Sequence, residues 1–576
     1  MRFAIQRYPA PGPHYESKGA HFSVANWRDK TGLFAWSQPQ LAANELPLET
    51  PALEHSPLEP AILPGVVETG ARSVTNAALI TCFASAAFAV HLLTASRYGY
   101  FRDELYYAAC GQHLAWGYAD HAPLIAAIFW FARRLLGDSL YALRFLPALS
   151  AAAKVLLTAW MVRELGGRRF AQLLAAVVVF FCPIYLTMDS FLSMNSFEPL
   201  LWMGCVAVAM RIANGGSARL WLLFGAIAGV GILNKHSTLF FGLAFFLALL
   251  LTSARRYMRS TWIWLGALIA FLIFLPNLLW EIEHQFPTIE VLQNAARFKN
   301  APVSWYGFFA EQALLVHPLA FPVVLAGLWF FFRSKEGRPY RFLGWTYLLV
   351  LAQMLLLKGR IYYVAPIYPM LFAAGAVWIE SRIEERDWQW ARQAILAPLV
   401  VGGIVAAPLA LPILPVEAAA AYSNFWDIHK VRVENYDSGQ LPQLFADMFG
   451  WPDQVKAVAS VYRSLPLEDR ARCTILAANY GEAGAIDYFG PSYGLPRAVS
   501  PHNNYFYWGP GDASNDVVVA VGMDLHKLRL LFGDVQKAAT IRNPYAVPDE
   551  SDLPIYICRH PRVPLVQAWP WLKFFG

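Results

Sequence analysis

Two adjacent carboxylates, Asp103 and Glu104, stand in the stretch 97–123 (RYGYFRDELYYAACGQHLAWGYADHAP), with Arg97 and Arg102 before them and Asp120 and His121 behind. Like charges side by side repel, and repulsion raises one of the two carboxyl pKa values toward neutrality. A carboxylate tuned that way suits a general base that takes a proton from an attacking hydroxyl. The stretch follows an apolar run, 76–95, long enough to cross a bilayer as a helix. Charges held at a membrane edge need water, partners or a chemical task. Acids in a first helical turn are also favoured by the helix dipole alone, but the company of Arg102, Asp120 and His121 favours chemistry. We expect Asp103 and Glu104 to be catalytic.

Other polar residues interrupt apolar sequence further on. Asp189 and Asn195 lie in TMDSFLSMNSFEPLLW, where Glu198 reads equally well as a helix cap. Lys235 breaks GVGILNKHSTLFFG on what the loop charges below make the outer side. A cation there runs against the positive-inside trend and calls for an anion, which a lipid phosphate would supply; the competing reading is a snorkelling lysine. Lys358, Arg360, Tyr362 and Tyr363 occupy a break in LLLKGRIYYVAPIYPML. Two cations beside two phenols suit a phosphate, against the plainer reading of an interfacial aromatic belt. Trp280, Glu281, Glu283 and His284 line a substrate pocket or form a solvated loop with equal ease.

The elements that must position these residues are membrane helices. Of 576 residues, 57% are hydrophobic and 15% charged, and the mean hydropathy is +0.37. Soluble domains carry about 25% charged residues, so the chain reads as polytopic. The net charge of +6 is spread over short loops and is no nucleic-acid footprint. Six cysteines form no C-x-x-C, which argues against a zinc or redox motif. Whether Cys473 and Cys558 pair stays open.

Apolar runs fall near 76–95, 140–162, 170–187, 197–213, 219–234, 237–252, 261–279, 310–332, 342–357, 361–379 and 393–414, giving about eleven spans of the usual ~20 residues. With the N-terminus inside, the basic clusters Arg163/Arg168/Arg169, Arg255/Arg256/Arg259 and Arg333/Lys335/Arg338/Arg341 all fall on the cytoplasmic side. The loops bearing Asp103, Asp189 and Glu281 then fall outside, as does everything after 414. Residues 122–136, apolar but short, read as an interfacial helix. Residues 1–70 are polar and Pro-rich, and read as a disordered cytoplasmic tail; 71–414 form the membrane domain. Residues 415–576 read as an extracytoplasmic α/β domain, with strands at 474–478, 516–521 and 555–558 and helices at 441–449 and 454–464. Its NYGEAG turn at 479–484 is only loosely like a nucleotide-binding turn.

The motifs RDELYY, GYADHAPL, MDSFLSMNSFEPLLW, LNKHS, PNLLWEIEHQFPT and KGRIYYVAPIYPM, in this order over 76–380, resemble the family 39 glycosyltransferases of the GT-C superfamily. That group includes dolichyl-phosphate-mannose protein mannosyltransferases and bacterial aminoarabinose transferases. The resemblance implies a helical GT-C fold in a bacterial inner membrane and a polyprenyl-phosphate-linked sugar donor at the outer leaflet. It implies an envelope lipid, glycan or protein acceptor, with inversion at the sugar. It gives Asp103 the general-base or acceptor-orienting role, with Glu104 its acidic neighbour, and matches Lys358–Tyr363 to a loop that contacts the lipid phosphate. Asp120 takes the place of an acid that can hold a divalent metal; metal use stays open. His121 stands where the aminoarabinose transferases carry Lys, and Ala122 where one Pro is expected. The alternative is a polytopic transporter or flippase. Transporters favour internal repeats and broken helices at mid-membrane, whereas here the halves show no repeat and the charged sites gather at one face.

Overall fold

The computed structural model describes residues 77–300, 304–428, 439–511 and 516–576, so the expected N-terminal tail lies outside the described residues. Every apolar run expected as a span is helical. In order these are α1 (Ala77–Thr94), the outer pair α2 (Arg102–Gln112) and α3 (Leu124–Leu136), α4 (Leu140–Glu164), α5 (Arg169–Phe180), α6 (Pro183–Met188) and α7 (Met194–Ala213). Then come α8 (Leu220–Asn234), α9 (Thr238–Leu250), α10 (Thr261–Glu283), α11 (Pro287–Asn294), α12 (Trp305–Leu315), α13 (Phe321–Arg333), α14 (Arg341–Leu356), α15 (Tyr368–Glu385) and α16 (Gln389–Ala410). Six of the described helices are long and apolar enough to cross a membrane, or up to eight if two bent pairs each count as one span. That is fewer than the eleven expected, because proline and tight turns break several runs. Pro183 stops the 170–187 run by opening a new helix, and Pro318 with the positive φ of His317 bends α12 against α13 by 94°.

Backbones meet where side chains vanish. A Cβ on Gly225 of α8 would collide with the Gly266 carbonyl of α10, and one on Gly375 of α15 with the Val323 carbonyl of α13. Small residues let membrane helices approach this closely. Outside the spans, α3 buries Ile125, Ala126, Phe129 and Ala132 while Trp130, Phe131 and Leu135 stay exposed.

After α17 (Val416–Phe425), the C-terminal part holds α18 (Gln443–Ala446), α19 (Trp451–Ser464), α20 (Leu467–Ala471), α21 (Tyr480–Phe489) and α22 (Asn504–Trp508). They surround a sheet of β1 (Cys473–Ala477), β2 (Ala498–Val499), β3 (Val517–Val521), β4 (Phe532–Arg542) and β5 (Asp552–Pro561). The strand order is β2-β1-β3-β5-β4, with β2, β1 and β3 parallel and β5 and β4 antiparallel. The sequence reading lacks β4, a polar strand with an exposed middle and no hydrophobic run to mark it.

Alternation splits the sheet between two cores. Ile475, Val519 and Ile555 join a cluster with Ala483 and Ile486 of α21, and also with Leu105, Ile125 and Phe129 of α2 and α3. Leu476, Val518 and Cys558 pack on the other face with Leu528 and Trp569. Cys473 is in register with Val517, and Cys558 with the next residue, Val518. Successive strand residues point to opposite faces, so the two thiols cannot pair across β3, and both are free. One face of the sheet thus shares its core with α2 and α3.

Candidate active site

Helix α2 starts where Phe101, in an extended conformation, turns into the helix and Glu104 reaches back to accept the Phe101 amide at 2.9 Å. Asp103 and Glu104 both sit in its first turn, but neighbours on a helix diverge by about 100°. Their environments therefore differ completely. Glu104 is fully buried and forms a two-point ion pair with Arg144 of α4, through Nε at 3.1 Å and Nη2 at 2.7 Å. It also accepts the Leu192 amide at 2.8 Å. The Glu104 lone pairs are thus committed to a guanidinium and two backbone amides, which suits a structural role. The expected repulsion with Asp103 is offset, since Arg144 answers the Glu104 charge.

Asp103 turns the other way. Its Oδ1 accepts a hydrogen bond from the Tyr480 hydroxyl at 2.9 Å, and it lines a cavity of about 90 Å³. Arg102, Asn195, Lys299, Arg360 and Tyr362 line the same cavity. Arg102 also lies 3.5 Å from Asp447, and Arg360 donates to Asn300 at 3.1 Å and to the Tyr362 hydroxyl at 3.3 Å. The cavity thus sets the carboxylates of Asp103 and Asp447 beside the cations of Arg102, Lys299 and Arg360, with Tyr480 from the C-terminal part closing it.

Asp120 accepts from the Tyr106 hydroxyl at 2.7 Å and from the Asn503 side-chain amide at 2.9 Å. Burial raises its carboxyl pKa, opposed by His121 beside it and by the Tyr106 bond. His121 is not placed as a phosphate ligand. Its Nδ1 donates to the Ala122 carbonyl at 2.9 Å, its Nε2 faces the Cys110 sulfur at 3.6 Å, and its ring stacks on Tyr118. Burial lowers its pKa despite Asp120, so the ring is neutral at pH 7 and brings no cation. A divalent metal fits poorly as well. Among the described residues no three His, Cys, Asp or Glu converge, and both Asp120 oxygens already accept from protein donors.

Asp189 lies buried among the helices. It is 1% exposed and takes both its bonds from Lys154 of α4, at 2.6 and 2.7 Å. The pair with Lys154 suits a structural role. Lys235 donates to the Glu198 carboxylate at 2.8 Å and to the Asn195 side-chain oxygen at 2.8 Å. No lipid phosphate is needed to explain it. The ammonium lies over the rings of Tyr363 and Tyr362, 4.5 and 5.3 Å from their centres. Of the late-loop residues, Arg360 and Tyr362 reach the Asp103 cavity, whereas Lys358 is exposed at a positive φ before the turn and forms no part of its wall.

Sequence reasoning missed Arg144, Lys154, Lys299, Tyr480 and Asn503. Arg144 and Lys154 carried a usable signal: each is a lone cation inside the apolar run of α4, and such residues are expected to be paired. The 479–484 turn is a helix cap. Asn479 caps α21 by accepting the amides of Gly481 and Glu482 at 2.8 and 3.0 Å, and Glu482 reaches back to complete a capping box.

Known proteins bear on this geometry in three ways. The family model for dolichyl-phosphate-mannose-protein mannosyltransferases matches residues 120–280. The chain is 27% identical over 252 residues to the lipid A galacturonosyltransferase RgtD of Rhizobium johnstonii, covering 42% of this chain and 50% of that one; it thus spans about half the length of this curated relative. ArnT from Cupriavidus metallidurans bound to undecaprenyl phosphate superposes with a TM-score of 0.55 at 14% identity, over 84% of this chain and 98% of that one. Its apo form gives 0.54 over the same shares. The fold extends through the C-terminal α/β part, beyond the segment matched by the family model.

Proposed function

We propose that this chain, which has the fold and family match of the GT-C glycosyltransferases, moves a hexosyl or pentosyl unit from a polyprenyl-phosphate carrier to an envelope acceptor. One observation carries the reading: a half-buried carboxylate, Asp103, shares a small cavity with the cations of Lys299, Arg360 and Arg102. ArnT of this fold holds undecaprenyl phosphate, and the relative RgtD is named for lipid A; both support a lipid-linked donor and a lipid among the candidate acceptors.

In this reading Asp103 takes the proton of the acceptor hydroxyl as its oxygen bonds to the anomeric carbon. The bond from that carbon to the carrier phosphate breaks, and its electron pair leaves on the phosphate oxygen. Arg360 and Lys299 face that developing charge, and Tyr362 adds a hydroxyl, so the leaving group is stabilised by groups already in place. Attack from the side opposite the phosphate inverts the sugar. Asp120, held by Tyr106 and Asn503, is assigned in this reading to the sugar side of the site, through the lone pairs its two protein donors leave over. Lys235 and Tyr363 support the Tyr362 side of the cavity from beneath. No step requires a metal. The basic loops support an orientation with the N-terminus cytoplasmic and the site and α/β part on the periplasmic side of the inner membrane.

The test is Asp103→Asn in membranes, beside wild type, with a radiolabelled polyprenyl-phosphate sugar. Loss of a general base costs about 10²–10⁴-fold in rate, so label should leave the acceptor fraction while protein level and thermal midpoint hold. Wild-type transfer by the variant would remove Asp103 from the mechanism. Carrier translocation by wild type without any transfer would return the chain to the flippase reading.

A further inference from the structure

We infer that the C-terminal α/β part completes the active site by positioning both carboxylates, Tyr480 acting on Asp103 and Asn503 on Asp120. The inference rests on the proposed role of Asp103 and adds residues from a region that no motif assigned to chemistry. Two hydrogen bonds carry it, each between residues nearly four hundred positions apart: Tyr480 to Asp103 Oδ1 at 2.9 Å and Asn503 to Asp120 Oδ2 at 2.9 Å.

The surrounding structure is built to deliver these two donors. Tyr480 is the first residue of α21, and its backbone is set by the Asn479–Glu482 capping box. Helix α21 presses on α2 at two glycines. A Cβ at Gly481 would lie 2.6 Å from the Arg102 side chain, and one at Gly484 2.9 Å from the Leu105 backbone. Larger residues there would lift Tyr480 away from Asp103. The Tyr480 ring lies 4.6 Å from that of Tyr106 and beneath the Arg102 guanidinium, while the Tyr106 hydroxyl itself donates to Asp120. The two carboxylates are therefore held by one aromatic contact.

Asn503 adopts a φ of 48° with ψ of −134°, outside the left-handed helical well, so its backbone is held there by its partners. Its orientation is decided by its partners: Oδ1 accepts the Gly576 amide at 2.9 Å, so the NH₂ group is the end that meets Asp120. The amide of Asn504, next in the chain, donates to the Tyr106 hydroxyl at 3.1 Å. This orders the Tyr106 proton toward Asp120.

A donor to a carboxylate stabilises its charged form and fixes its rotamer. Tyr480 donates to Oδ1 of Asp103, which leaves Oδ2 for the acceptor hydroxyl. The C-terminal part thus holds the base in place.

The experiment compares wild type with Tyr480→Phe and Asn503→Gly, the latter keeping the positive φ available, in pH profiles of kcat and kcat/KM for the labelled polyprenyl-phosphate sugar. For Tyr480→Phe we expect kcat to fall about tenfold and the donor KM to hold. Replacing Tyr480 with a difluorotyrosine, which keeps both the ring and the phenol donor, should hold kcat near wild type. For Asn503→Gly we expect a raised KM with kcat held. A lowered thermal midpoint with the wild-type kcat and pH profile would make Tyr480 structural only and overturn the inference. An inactive Asp103→Asn beside an unaltered Tyr480→Phe would overturn it alone, whereas an active Asp103→Asn would sink the base assignment itself.

Discussion

Replacing Glu104 with glutamine tests how the carboxylate pair divides its labour. The change is nearly isosteric and removes one charge. In the fold, Glu104 accepts two bonds from Arg144 and one each from the amides of Phe101 and Leu192. Arg144 is equally buried and otherwise reaches only the carbonyls of Ala95 and Gly99, at 2.6 and 2.8 Å. Glutamine can keep one Arg144 contact at best and turns an NH₂ group toward donors. Removing one partner of a buried pair costs about 3–5 kcal/mol because the other charge is left uncompensated. We expect Glu104→Gln to lower stability by about that amount, read as denaturant or thermal unfolding in detergent or nanodiscs. The damage should reach α2 as a whole, because the Ala95 and Gly99 carbonyls anchor the chain entering it. Adding Arg144→Met should recover part of the loss, since a paired deletion leaves no orphan charge. Transfer per folded molecule should fall far less than in Asp103→Asn. A Glu104→Gln protein with the wild-type unfolding midpoint and no transfer would refute the reasoning, and would restore Glu104 to the chemistry.

Two further outcomes follow from buried charge. Asp189→Asn strands the Lys154 ammonium inside the bundle and should cost about 3–5 kcal/mol of stability, while transfer per folded molecule stays near wild type; loss of transfer with full stability would return Asp189 to the site. His502 is pushed down to about 3 by burial, with Lys299 adding to the effect. Between about pH 3 and 6.5 the unfolded chain therefore binds a proton that the folded chain refuses, so stability rises with pH across that window, by at most about 1.4 kcal/mol per unit from this group. Thermal midpoints measured from pH 4 to 7 should rise, and His502→Gln should flatten the slope; an unchanged slope would discard the buried neutral ring.

Membrane architecture was legible because hydrophobic transfer acts on contiguous residues. Runs of apolar sequence announce helices wherever they lie in the bilayer, and all eleven runs are helical. Their number as spans was not legible, since the bend at His317–Pro318 and the break at Pro183 depend on how neighbours accept the chain. Asp103 was legible as an acid beside a span with other charges near it. Glu104, one residue on, carried the same local signal and has the opposite fate. What separates them is Arg144, forty residues away on another helix, just as Lys154 separates Asp189 from its expected role. Cys473 and Cys558 show the same limit in the sheet, where a one-residue offset in register puts the thiols on opposite faces.

Composition, hydropathy and local charge were enough to establish a polytopic membrane chain with an α/β C-terminal part and an acidic stretch after its first apolar helix, because each arises from neighbours along the chain. Only the tertiary structure decided which carboxylate faces a cavity, which cations share it, and that Tyr480 and Asn503 reach back to it. Hydrogen bonds and ion pairs act over about 3 Å of space, and nothing in local sequence records which distant segments the packing of helices brings within that reach.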